Sequence, residues 1–367
     1  MSPAEHALLD LLRNGRPAAA LPSGTWETIL GLAQREGISA IVYARVRAGA
    51  PGPAVPESAT ATLARRYDEG AERTAKAYAE LETVLRALGG AGVRAMLLKG
   101  AALARFTYED AALRPFTDLD LLVRPDDVAA AARAMRGAGY AAAGPEHRTG
   151  TYEQCYFAPS WQRLPVDIHW RYAEPFHAIE LNYGGMFARA SLVRVGHEAA
   201  LLPSPEDLLV ALSVHVVREA WESKPILRYL CDAAETIRRH RVDWGRLVAC
   251  ARASRHLRAP LRLTLRAAEA LLDVDVPAPV LESIRPRRGT RVDRLVQRRV
   301  FATVLRRPSP LEALVRIALM RWADGDAAPR YAALVGDRVH VQWARVRAYA
   351  RRRAERARRL RQRLLAR

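Results

Sequence analysis

Asp118 and Asp120 form a D-x-D pair in the segment Arg114-Pro-Phe-Thr-Asp-Leu-Asp-Leu-Leu-Val123. Strand side chains alternate faces with a period of two residues. The two carboxylates therefore share one face, while Leu119, Leu121 and Val123 share the other. Adjacent anions repel unless a cation or a proton sits between them. A hard divalent cation, Mg2+ or Mn2+, takes such oxygen ligands and keeps positions open for phosphate oxygens. The pair thus points to metal-phosphate chemistry, although a lone D-x-D also occurs where strand-end aspartates satisfy turns and caps.

Two further segments carry matching chemistry. Upstream, Val93-Arg-Ala-Met-Leu-Leu-Lys99-Gly100 is an apolar run that ends in Lys-Gly and leads into an Ala/Leu helix. Lys99 can reach a phosphate as a point charge. Gly100 lets the backbone approach a phosphate at a helix N-terminus. An ordinary strand-end lysine and a turn glycine would look the same. Arg114 can grip phosphate with two parallel hydrogen bonds or pair with one of the aspartates. Downstream, Leu164-Pro-Val-Asp167-Ile-His169-Trp170 alternates as a strand, with Asp167 and His169 on one face. Asp167 is the candidate third carboxylate, as metal ligand or general base. His169 can orient or deprotonate an acceptor, or support Asp167 by a hydrogen bond.

Taken together, the three segments resemble the DNA polymerase beta-like nucleotidyltransferase superfamily. The order and local sequence are closest to its uncharacterised bacterial nucleotidyltransferase family, which reads L-K-G, then R-x-x-x-D-x-D-L-L-V, then D-x-H-W. Here these are Leu98 to Gly100, Arg114 to Val123 and Asp167 to Trp170, and the likeness extends to His215 and Asp232, over roughly residues 80 to 275. The resemblance implies transfer of a nucleoside monophosphate from an NTP, ATP included, to an acceptor, with release of pyrophosphate. It casts Asp118, Asp120 and Asp167 as catalytic metal ligands for Mg2+ or Mn2+. It casts Lys99, Gly100, Arg114 and His169 as nucleotide-binding residues. The superfamily commonly has Ser after the glycine to help hold the triphosphate, whereas this chain has Ala101. Phosphate gripping then falls to backbone N–H groups, Lys99 or Arg114. Two alternatives stand beside this: a catalytically silent module that binds nucleotide or RNA, and a toxin-like modifier of tRNA or protein. The acceptor class stays open among small molecule, sugar, peptide and tRNA.

The surrounding elements read as an α+β protein. A small mixed-sheet core over residues 91–203 is flanked by an N-terminal helical region (1–90), a helical domain (204–290) and basic C-terminal helices (291–367). Leu8, Leu9, Leu11 and Leu12 mark a first amphipathic helix closed by Gly15 and Pro17. Thr25 is placed to cap the second. A long helix should run to Gly89-Gly90, and Pro125-Asp126-Asp127 should open another. Strand patterns follow at 152–158, 164–170 and 191–202. Ser204-Pro-Glu-Asp207 is a helix start. The helices beyond it should break near Arg241-Val-Asp243 and Pro260, and His215 and Asp232 could meet if their helices pack side by side.

The 367 residues are half hydrophobic and carry a formal charge of +19, with Arg supplying all but three of the 58 basic residues. Such a balance suits polyanionic partners, and the Arg-rich stretch from Arg345 is a candidate polyanion-binding helix, although base composition gives the same bias. No uninterrupted apolar run reaches about 18 residues, which argues against a membrane span. The N-terminus lacks a secretory pattern. Cys155, Cys231 and Cys250 are scattered without zinc spacing, which fits a reducing cytoplasm. No P-loop, nucleophile elbow or H-E-x-x-H is present.

Overall fold

The computed structural model describes residues 2–22, 24–49, 55–143, 152–159, 163–172, 179, 181–221, 225–254 and 256–285. The expected basic helices at 291–367, with the Arg-rich tail, lie outside these residues.

Four helices come first: α1 (Pro3–Asn14), α2 (Thr25–Arg35), α3 (Ser39–Ala48) and α4 (Glu57–Gly90). Gly15 ends α1 in the left-handed conformation, where a Cβ would strike the Arg45 carbonyl at 2.1 Å. Gly24 caps α2 without a side-chain bond, so Thr25 is its first residue and not its cap.

Among the described residues seven strands then form one mixed sheet: β1 (Met96–Leu97), β2 (Leu119–Leu122), β3 (Ala141–Ala142), β4 (Glu153–Phe157), β5 (Val166–His169), β6 (Ser191–Val195) and β7 (Glu198–Leu202), in the order β3-β4-β5-β2-β1-β7-β6. The apolar stretch at 191–202 is two strands, because Gly196 takes a positive φ and turns the chain into a hairpin. β2 pairs in parallel with β5 and antiparallel with β1. The helices threaded through the sheet are α5 (Lys99–Phe106), α6 (Val128–Gly137) and α7 (Tyr183–Arg189). Asp126 and Asp127 form a short 3-10 turn before α6.

Beyond the sheet lie α8 (Pro205–Trp221), α9 (Leu227–Arg239), α10 (Trp244–Ala253), α11 (Arg258–Leu272) and α12 (Ala278–Ser283). Ser204 opens α8 by accepting the Asp207 N–H at 3.2 Å. α10 ends at Ala253 and α11 begins at Arg258, so Pro260 sits not in the break itself but in the first turn of α11. A proline is tolerated there because that turn's N–H groups have no intrahelical acceptor.

The period-two pattern divides the sheet into two faces. Leu97, Leu119, Leu121, Val123, Val166 and Ile168 join the large core, which also takes Leu81, Leu85 and Leu88 of α4 and Leu230 of α9. On the opposite face, Met96, Leu98 and Leu122 pack with Tyr172, Met186, Phe187 and Ala211. Burying one such large apolar side chain contributes about 1.5–3 kcal/mol, so both faces hold the strands in register. Asp120, Asp167 and His169 lie on this second face, beside the smaller cluster.

Candidate active site

β2 and β5 place the acids. Asp120 and Asp167 are register partners across the parallel pair, and His169 pairs with Leu122 two residues on. Antiparallel β4 adds Glu153 opposite His169 and Cys155 opposite Asp167. Ligand atoms of Asp120, Asp167 and His169 all fall within 4.8 Å of one another. Asp118 precedes the strand and stands outside this trio.

β1 brings Lys99. The Leu98 N–H donates to the Asp120 carbonyl at 3.0 Å, so the start of α5 is pinned at the acid. Lys99 Nζ then donates to Asp120 Oδ1, and His169 Nε2 lies 2.9 Å from the same oxygen. His169 thus supports Asp120 and not Asp167, because strand register aims its ring across to β2. Its Nδ1 is 3.2 Å from Glu153 Oε2, close but not aligned for a hydrogen bond.

Lys99 has φ 43, a left-handed conformation costly for a lysine. Gly100 follows in close packing: a Cβ there would lie 2.4 Å from Phe116 Cβ. Ala101 is buried in the large core, and its carbonyl accepts from the Tyr78 hydroxyl at 2.9 Å. Its side chain is turned into the core, so any phosphate held at the start of α5 must be met by N–H groups and Lys99.

Arg114, expected to grip phosphate or to pair with one of the D-x-D aspartates, pairs instead with Asp232. It is buried, and its Nε and Nη2 donate to Asp232 at 2.7 and 2.9 Å. The Tyr108 hydroxyl donates to the same carboxylate at 2.9 Å. Burial works against the Arg114 charge, but Asp232 more than offsets it and holds the guanidinium above its ordinary pKa. The motif arginine therefore ties the loop before β2 to α9.

α8 lies along the face that carries the acids. Ala211 packs in the small cluster, and His215 follows one turn later. His215 stacks on Tyr229 at 5.9 Å and meets the Tyr172 ring edge-on at 6.3 Å. It meets α9 through Tyr229 and not through Asp232. Both its ring nitrogens are buried without a hydrogen-bond partner. Burial, then the Lys99 and Arg218 charges, keeps the ring neutral with a pKa well below normal. Glu153, Arg218 and Arg228 escaped sequence reasoning, because their place depends on strand register and helix packing.

The acids do not share one electrostatic state. Burial would raise the Asp120 carboxyl, but Lys99 and His169 overcome it and hold Asp120 well below the carboxylate range. Asp118 is raised, first by the Asp120 charge and then by burial, against the pull of Lys99 and Arg228. Asp167 is pushed up to about 6 by burial, then by Glu153 and Asp120. Its Oδ1 is buried without a hydrogen-bond partner. An orphaned anionic oxygen beside a second acid and an imidazole suits a divalent cation, so the donor set fits a metal. A cleft of about 260 Å³ is separate: it is lined largely by apolar groups, among them Leu181, Met186 and Val210, and by none of the motif residues.

A family model described as uncharacterised nucleotidyltransferase matches residues 22–273, more than half of the chain. The chain belongs to this family. It is a nucleotidyltransferase, a transferase of phosphorus-containing groups. The match starts well before residue 80, so α2–α4 belong to the family pattern as well as the sheet. No curated protein matches the chain. No helix among the described residues is long and apolar enough to cross a membrane.

Proposed function

We infer that this nucleotidyltransferase moves a nucleoside monophosphate from an NTP to an acceptor nucleophile, releases pyrophosphate, and depends on Mg2+ or Mn2+ held by Asp118, Asp120 and Asp167. The observation that carries the reading is the buried, unpartnered Oδ1 of Asp167 beside Asp120, its register partner. A divalent cation held there would neutralise the triphosphate and lower the pKa of the acceptor hydroxyl. Lys99 and His169 stabilise the ionised form of Asp120 and hold its carboxyl well below the usual carboxylate range. Asp167 completes the metal site or takes the acceptor's proton. Lys99, with the cationic Arg218 and Arg228 whose fields reach Lys99 and Asp118, supports a triphosphate lying across the start of α5. His169 orients Asp120. Positioning and charge neutralisation supply most of the rate, as in other phosphoryl-type transfers. Cys155, Cys231 and Cys250 form no disulfide, which fits a cytoplasmic setting.

A second reading rests on Ala101 and the Lys99–Asp120 pair: a silent module that grips nucleotide without chemistry. One experiment separates them. The protein is incubated with each α-phosphate-labelled NTP, Mg2+ or Mn2+, and fractionated cell extract as the acceptor source. Pyrophosphate release with label on an acceptor, lost in Asp118→Asn, supports the enzyme. Tight NTP binding with neither product supports the silent module and ends the catalytic reading.

A further inference from the structure

Asp120 Oδ1 already serves two donors, Lys99 Nζ and His169 Nε2. The pair is enclosed, with side-chain exposures of 12% for Lys99 and 3% for Asp120. An ammonium therefore already holds an oxygen of Asp120, an acid of the cluster that could hold a divalent ion. Two cations cannot share one buried carboxylate without strong mutual repulsion. Lys99 is also the group best able to leave. It stands at the first position of α5, where N–H groups without an intrahelical acceptor favour an anion, and its four-carbon stem gives the charge reach. His169, held in the strand ladder, has no such freedom.

We propose that Lys99 is the resident counter-ion of Asp120, that it must swing off Asp120 before the divalent cation binds, and that the arriving triphosphate draws it away. The inference rests on the metal-dependent reading above. Lys99 then has two stations, Asp120 at rest and phosphate when loaded. Triphosphate and metal bind cooperatively because one side chain stands in the way of the metal and is captured by the phosphate. By linkage the coupling is reciprocal, so the metal strengthens triphosphate binding as much as triphosphate strengthens metal binding. Metal alone should bind weakly, which keeps the acids from loading a cation before a nucleotide is present.

The test uses the full chain and two probes, Mn2+ alone, read by electron paramagnetic resonance, and metal-free inorganic triphosphate, read by calorimetry. Lys99→Met and Lys99→Gln should bind Mn2+ about tenfold more tightly than the wild type, within the usual range of coupling between sites. Lys99→Arg keeps the cation and should bind Mn2+ as weakly as the wild type. Both uncharged variants should bind triphosphate about tenfold more weakly. Uncharged variants that bind Mn2+ no better than the wild type overturn the proposal, as does a tightening shared by Lys99→Arg. Triphosphate binding that is unmeasurable in the wild type, or unchanged in the variants, overturns the second station. Asp120→Asn separates this failure from that of the underlying reading: if it binds Mn2+ as the wild type does, Asp120 is not a ligand and the metal site itself is wrong.

Discussion

Asp120 and Asp167 stand directly opposite each other in the parallel β2–β5 pair. Parallel pairing keeps their side chains on one face, so the two carboxylates are neighbours by backbone geometry alone. Lys99 and His169 lower the pKa of one acid, while burial and Glu153 raise that of the other. One pairing thus sets an acid whose ionised form is stabilised beside one whose ionised form is disfavoured.

Asp118→Asn and Asp120→Asn should both abolish turnover, but only the second should weaken the fold. Asp120→Asn leaves the Lys99 ammonium and the His169 ring without their anion in a buried place, and breaking a buried pair costs about 3–5 kcal/mol. Asp118→Asn removes a charge that Asp120 repels, so stability should hold or rise slightly. Urea unfolding of the metal-free variants near neutral pH decides this; equal stabilities would contradict the assigned environments.

Asp167→Asn should stabilise the metal-free protein above about pH 6 and have little effect below pH 4. The unfolded carboxyl ionises near 3.8 and the folded one near about 6. As pH rises between those values the unfolded chain sheds its proton first, and the folded state loses stability. The loss is absent below the first value and complete above the second, at about 1.4 kcal/mol per unit. Melting curves of both proteins across this range should therefore diverge as pH rises. Parallel curves would refute the raised pKa.

Arg114→Met alone should cost about 3–5 kcal/mol, since it strands the Asp232 carboxylate. The Arg114→Met/Asp232→Leu double variant should regain much of that loss. If Arg114 tethers α9 and does not hold phosphate, the double variant keeps wild-type affinity for NTP. A large affinity loss in a stably folded double variant would return Arg114 to the phosphate group.

Gly100→Ala should destabilise by about 1–3 kcal/mol, because the new methyl meets Phe116 Cβ and only a shift of α5 relieves it. That shift moves the residues expected to face phosphate, so NTP affinity should fall about tenfold, roughly 1.4 kcal/mol. Gly89→Ala is the control: it adds a methyl in open space within α4 and should be neutral or stabilising by about 0.4–1 kcal/mol. Equal effects at the two positions would show that Gly100 is an ordinary turn glycine.

Local pattern made much of this protein readable. The alternation in Leu119–Leu122 and Val166–His169 gave the strands and their faces, because a period of two fixes which side chains travel together. Ser204 and Asp207 marked the start of α8 through a bond three residues long. The order L-K-G, D-x-D, D-x-H-W pointed to the family that the chain belongs to. None of these signals reaches beyond its own segment. That Asp120 pairs with Asp167, that Glu153 lies beside His169, and that Arg114 turns to Asp232 across 118 residues were decided by strand register and helix packing. The same holds for Lys99, whose charge is written in the sequence but whose partner is not. Its contact with Asp120 exists only because Leu98 is tied to the backbone of the same residue when β1 and β2 meet. Sequence alone determined which groups could do the chemistry; tertiary structure decided which of them face each other, since contacts between distant segments depend on burial and registry that no local period encodes.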